Sequence, residues 1–135
     1  MEPSIPKPVA NADSAPYWNA AREQRLLIRR CGACGALHFM PRHLCPQCWS
    51  DDLQWIDAKG RGRVHSYTVI HRASSPAYAS MTPYVVALIE LDEGPRMVAN
   101  ILGDDALQVR IGDAVEVMFE DRGEGHKVPQ FRRAA

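Results

Sequence analysis

The sequence has no apolar run near the ~20 residues that cross a bilayer, which excludes a helical membrane span. It has no Gly-x-Ser-x-Gly elbow and no Walker loop, which removes two common frames for acyl transfer and nucleotide binding. No internal repeat is visible, so a solenoid is not expected. Nothing at the N-terminus looks like an export signal, which points to a reducing, cytoplasmic setting where disulfides do not persist. The formal net charge is zero. Cysteine is scarce too: four residues, none outside positions 31–48.

What is present suits a small globular protein. The 135 residues, 46% of them apolar, leave room for one domain or for a small module joined to a barrel. The charge is unevenly spread. Residues 17–48 carry five arginines (Arg22, Arg25, Arg29, Arg30, Arg42) against Glu23, and residues 84–121 carry nine acids against Arg96 and Arg110. One end is expected to present a positive field and the other a negative one.

The four cysteines form two pairs, Cys31-Gly32-Ala33-Cys34 and Cys45-Pro46-Gln47-Cys48, ten residues apart. Two residues between thiolates let a tight turn aim both sulfurs at one cation, and four thiolates close a tetrahedron around zinc. Iron fits the same donor set. A redox motif needs only one such pair. A four-sulfur shell leaves no open position for water or substrate, so the expected metal is structural.

Residues 1–12, with Pro3, Pro6 and Pro8, read as an extended or disordered tail. Asp13 or Ser14 can cap a helix over about Ala15–Gln24, with Pro16 in its first turn. Its thin stripe of Tyr17, Trp18, Ala20 and Ala21 must dock on its own barrel or on another subunit. Leu26–Ile28 leads into the first cysteine knuckle and Leu37–Met40 returns from it, while Trp49 is expected to pack on the ribbon. This places a helix and ribbon in residues 13–52 and a barrel in 53–135. Strands are expected at Leu53–Ile56, Val64–His71, Tyr84–Leu91, Arg96–Leu102, Ala114–Glu120 and Val128–Phe131, separated by glycine turns and by a loop at 71–83. Val115, Val117 and Phe119 share one face. Strands of about eight residues, joined without long helices, suit a five-stranded OB-type barrel, with an SH3-like barrel or open sandwich as alternatives. The fold class is mainly β.

A set of local motifs resembles the family that joins a rubredoxin-like zinc ribbon to an OB-fold and works beside acyl-CoA enzymes. The likeness rests on Leu26 with Arg30-Cys31-Gly32-Ala33-Cys34-Gly35, on His38-Phe39-Met40-Pro41-Arg42, and on Cys45-Pro46-Gln47-Cys48. It continues through Gly60-Arg61-Gly62-Arg63-Val64 with Ser66-Tyr67-Thr68, the run Pro83–Gly94, Ile111–Val117 and Val128–Arg132. The resemblance implies a metallated ribbon with Cys31, Cys34, Cys45 and Cys48 as ligands. It also implies a non-catalytic partner of a thiolase-fold, hydratase or aldolase subunit in a hetero-oligomer, binding an acyl-CoA ester or holding the complex together.

The residues agree on independent grounds. Thiolase chemistry needs a nucleophilic cysteine, and every cysteine is assigned to the metal. His38, His43, His65, His71 and His126 have no evident cysteine or carboxylate for a relay. If CoA binds, Arg29, Arg30, Arg42 and Arg63 are candidates for its phosphates, and Trp18, Phe39 and Tyr67 for its adenine or pantetheine. Tyr78 and Met81 in the 71–83 loop can cover a ligand or reach a partner. Two other classes remain in view. One is a nucleic-acid module, disfavoured because the acidic strands repel phosphate. The other is a metal-dependent or redox protein.

Overall fold

The computed structural model describes residues 5–134, so the tail expectation for residues 1–4 lies outside them. From residue 5 the chain runs beside its own barrel. The Pro6 carbonyl accepts from Arg122 at 3.0 Å, and Lys7 pairs with Glu124 at 3.0 Å.

Helix α1 spans Ala15–Arg22, with Pro16 in its first turn, where no N–H partner is lost. Neither expected cap bonds the helix through its side chain. Ser14 stands at the N-cap, but its hydroxyl accepts the Asn11 N–H at 3.0 Å while Asn11 Oδ1 accepts the Ser14 N–H at 2.8 Å. This reciprocal turn fixes the helix entrance instead. The helix stops short of Gln24, which takes a left-handed φ of 61°. Arg25 N–H then reaches Ala20 O and Gln24 N–H reaches Ala21 O, both at 2.9 Å, satisfying carbonyls that the last turn would orphan.

Three strands form the ribbon sheet: β1 (Leu27–Cys31), β2 (Leu37–His38) and β3 (Leu53–Asp57), in the order β2-β1-β3. The sequence reading opens the barrel unit at residue 53; in the structure the strand Leu53–Asp57 hydrogen-bonds to the ribbon strand β1. β3 pairs antiparallel along all of β1, from Leu27↔Asp57 to Cys31↔Leu53. β2 covers only Arg29 and Arg30, so the other edge of β1 needs a longer partner.

The remaining strands are β4 (Arg61–Ile70), β5 (Tyr84–Leu91), β6 (Arg96–Leu102), β7 (Ala114–Gly123) and β8 (His126–Arg133). They close a barrel in the order β4-β5-β6-β8-β7, with β6 and β8 parallel and every other pair antiparallel. This is the five-stranded OB-fold. Gly62 is needed where β4 crosses β5, because a Cβ there would run into the Glu90 carbonyl. A bulge between Val64 and Ser66 reverses the alternation of β4. Val64 points inward before it; Tyr67 and Val69 pack against the core after it.

One core unites the molecule. Tyr17, Leu26 and Ile28 join Val85, Ile89, Ile101, Val115 and Phe131 in a single buried cluster. The helix therefore docks on its own barrel, the first of its two expected options. The expected negative end is neutralised in part: Glu90 pairs with Arg96, Glu116 with Arg132, Asp105 and Asp113 with Arg133, and Glu120 with Arg122. No helix among the described residues is long and apolar enough to cross a membrane.

Candidate metal centre and adjoining groove

β1 delivers Cys31 to the first knuckle, and the turn after Leu44 delivers Cys45 to the second. The Gly35 N–H donates to the Cys31 carbonyl and the Trp49 N–H to the Cys45 carbonyl, each at 2.9 Å, so both turns are built alike. Within them Ala33 and Cys34 N–H groups donate to Cys31 Sγ at 3.3 and 3.4 Å, and Gln47 N–H to Cys45 Sγ at 3.4 Å. All four Sγ atoms lie within 4.8 Å of one another, with Cys31–Cys48 at 3.5 Å and Cys34–Cys45 at 3.7 Å. Cys31 and Cys45 are buried; Cys34 and Cys48 face outward.

The electrostatics favour a cation at the centre. The N–H groups of Cys34 and Ala33 pull the Cys31 thiol down to about 6, and those of Cys48 and Gln47 lower Cys45. The Ser50 N–H favours a thiolate at Cys48, yet Cys31 and burial push that thiol up to about 12. Sulfurs this close cannot all shed their protons unless positive charge sits between them. The donor set therefore fits a structural metal ion.

A groove of about 500 Å³ opens where helix, ribbon and barrel meet. Tyr17 and Trp18 form one wall, Phe39–Pro41 another, and Val86, Val98, Asn100 and Pro129 belong to the barrel side. Tyr17 meets Trp18 and Phe39 edge to face at 4.9 and 5.6 Å. Tyr78 from the 3-10 helix Pro76–Met81 completes the mouth and packs near Tyr84 at 6.1 Å. No charged side chain lines this groove among the described residues.

The other sequence candidates are scattered. Arg29 stacks 4.2 Å over Trp55, its register partner on β3. Burial lowers its pKa, and its Nε has no hydrogen-bond partner among the described residues. His38 sits opposite Arg29 on β2, both ring nitrogens unpartnered, and burial followed by Arg29 and Arg42 lowers its pKa. Arg42 borders a second depression beside Cys45. Arg30 is exposed on β1. Arg63 and Tyr67 lie on β4 and do not line the groove; Arg63 donates to the Gly112 carbonyl at 3.0 Å and Tyr67 packs against the core. Trp49 does not pack on the ribbon as expected and is 77% exposed. Two histidines do have acidic neighbours, His43 with Asp13 at 3.9 Å and His65 with Glu90 at 3.8 Å, both too long for a relay. Sequence reasoning missed Asn100 and Gln130 beside the groove. Their signal, polar residues at strand positions, is shared by most outward-facing sites.

Models of two domain families match the chain: the ChsH2 rubredoxin-like zinc ribbon domain over residues 18–54 and the ChsH2 C-terminal OB-fold domain over 55–120. A probable enoyl-CoA hydratase alpha subunit of Thermomonospora curvata is 40% identical over 129 residues, covering 96% of this chain and 40% of that protein. The chain thus spans well under half the length of that relative. A DUF35 domain-containing scaffold protein of Methanocaldococcus jannaschii is 36% identical over 104 residues, 76% of this chain and 73% of the relative. Among solved structures, a chain of the Ltp2-ChsH2(DUF35) aldolase superposes with a TM-score of 0.84 at 40% identity, covering 96% of this chain and 100% of that one.

Proposed function

The chain belongs to the ChsH2 (DUF35) family of rubredoxin-like zinc ribbons joined to OB-folds, and from that premise we propose a non-catalytic accessory subunit of an acyl-CoA-processing complex. The observation that carries this reading is the convergence of all four cysteines on one point, which leaves no thiol for acyl transfer. The partner is a thiolase-fold, hydratase or aldolase subunit. Relatives bear names of this kind: one is a hydratase alpha subunit, and one was solved as part of an aldolase.

Zinc is the proposed ion, held by Cys31, Cys34, Cys45 and Cys48. Its contribution is to tie two knuckles together, and it offers no open position for chemistry. The groove is the proposed place for the uncharged part of a CoA ester, with Trp18 and Phe39 as apolar walls. Arg29, Arg30, Arg42, Arg63 and Tyr67 remain candidates for the rest of the ligand or for the partner, and none of the five lines the groove. Helix and ribbon form one unit of this subunit and the barrel the other, with β3 counted on the ribbon side.

The test is co-expression with an aldolase of the kind solved with a relative, and with hydratase and thiolase-fold subunits of the kind other relatives are named for. The expected result is a stable complex, activity only in that complex, and one equivalent of zinc in this chain by elemental analysis. Turnover of an acyl-CoA by the isolated chain, or failure to bind any of these subunits, would remove the proposal. An iron spectrum in native protein would replace zinc but leave the subunit role intact.

A further inference from the structure

Gly35 and Trp49 hold equivalent places, one closing each cysteine knuckle, and both are left-handed, with φ of 77° and 69°. Glycine takes that conformation freely; a residue with a bulky side chain does not. The knuckle accounts for the backbone of Trp49, whose N–H closes the turn on the Cys45 carbonyl, but not for a bulky side chain there. That side chain is largely in solvent, and among the described residues it has no aromatic contact. A tryptophan kept exposed at a left-handed position that glycine fills in the first knuckle points to a role outside the fold.

Its surroundings have the same character. Met40 is 58% exposed, and with Pro41, Leu44 and Pro46 it borders a shallow depression of about 570 Å³ that Trp49 helps to line. Arg42 and His43 stand on the rim, with Asp13 as the one acid. Asp13 lies 3.9 Å from His43, while Arg42 has no ion-pair partner among the described residues. A large aromatic and an arginine around an apolar centre make the usual composition of an interface hot spot.

We infer that this ribbon face docks the partner enzyme subunit, which supplies an apolar socket for the Trp49 indole and a carboxylate for Arg42. The inference rests on the accessory-subunit reading and adds which surface makes the joint. A relative of the same fold was solved as part of an aldolase, which makes an enzyme subunit the occupant, and Arg42, exposed and without an ion-pair partner among the described residues, offers it a cation for a carboxylate. One arginine and one histidine beside an aspartate are too few cations for nucleic acid.

The experiment measures affinity for the acyl-CoA enzyme subunit that the co-expression test identifies, with the full chain and the variants Trp49→Gly and Arg42→Glu. Glycine is at home at this φ, so Trp49→Gly should keep its metal and melt no lower than the parent. Its affinity for the subunit should nevertheless fall by about 30-fold or more. Arg42→Glu should weaken binding at least about tenfold, and less so at high salt. In the unmutated chain labelled with 5-fluorotryptophan, the Trp49 resonance should lose its solvent exposure on complex formation. That readout stands even if Trp49→Gly proves to disturb the knuckle. A wild-type complex in which Trp49 stays solvent-exposed and the variants bind within threefold would overturn the docking face and leave the subunit role standing. Absence of any wild-type complex would bring down both. A homodimer that Trp49→Gly dissolves would replace the enzyme subunit with a second copy and overturn the inference.

Discussion

Gln130 Oε1 accepts the backbone N–H of Asn100 at 2.7 Å, and the Gln130 amide nitrogen donates back to Asn100 Oδ1 at 3.2 Å. The pair lies where parallel β6 and β8 separate, since their main-chain register is confined to Ile101↔Phe131 and Leu102↔Arg132. Asn100 Nδ2 in turn donates to the Val85 carbonyl at 2.9 Å, so side chains extend the hydrogen bonding across β8, β6 and β5. Both residues border the groove, and Gln130 is 3% exposed.

Gln130→Leu should therefore cost more than its similar size suggests. The Asn100 N–H would lose its acceptor in a partly buried seam, a penalty of about 1–3 kcal/mol. Urea unfolding should show a lower midpoint with an unchanged slope. A variant as stable as the parent would mean that the seam is solvated and the pair contributes little.

The parts legible in the sequence were those set by short-range spacing. Two Cys-x-x-Cys turns can aim their sulfurs at one point wherever the ribbon lies, and they do. The inward face of Val115, Val117 and Phe119 follows from strand alternation. The parts that were missed depend on distant partners or on one-residue irregularities. Tyr67 turned from candidate ligand face to core side because of the bulge before Ser66. β3 went to the ribbon because β1 had an open edge, which no local pattern in Leu53–Asp57 records. Trp49 looked like packing material by composition, but its left-handed backbone turns it outward.

Gly62→Ala should destabilise the barrel although its backbone φ is ordinary. The added methyl would meet the Glu90 carbonyl and crowd the Ile89 side chain, so β4 must move away from β5. Overpacking of this kind costs about 1–3 kcal/mol. Thermal denaturation should register it, whereas Gly94→Ala, at a position with open space around a left-handed turn, isolates the cost of backbone strain alone.

Tyr17 links stability to alkaline pH. It is 7% exposed, and burial raises its phenol well above the ordinary value of about 10. A raised folded-state pKa means stability that is complete below about 10 and is lost as the pH climbs from there through the higher folded value. At pH 11 the unfolded chain gains about 1.4 kcal/mol from this group. Tyr17→Phe keeps the edge-to-face contacts with Trp18 and Phe39 and removes the titration. Unfolding free energies at pH 8 and pH 11 should diverge less in the variant than in the parent; equal divergence would place the alkaline loss elsewhere.

Removing the metal should uncouple the two halves of the fold unequally. The ribbon sheet is short: β2 contributes two residues, and the loop between β2 and β3 carries the second knuckle without regular structure. Beside the Gly32 N–H to Asp52 carbonyl bond at 2.7 Å, a metal ion held by the four cysteines would be the main tie between that loop and β1, and a structural zinc site contributes on the order of 10–16 kcal/mol of apparent binding free energy. The barrel is closed by its own five strands and keeps most of the buried cluster, so it does not depend on the ion for its hydrogen bonds. A strong chelator followed by hydrogen exchange should therefore strip protection from residues 31–52 first and from β1 and β3 next. β5 to β8 should retain protection with a lower opening free energy, because Tyr17, Leu26 and Ile28 would no longer be held against them. Re-addition of zinc should restore the pattern, with proton release as the thiols are deprotonated. Ribbon amides that stay fully protected in metal-free, thiol-reduced protein would show that side-chain packing alone holds the knuckles together.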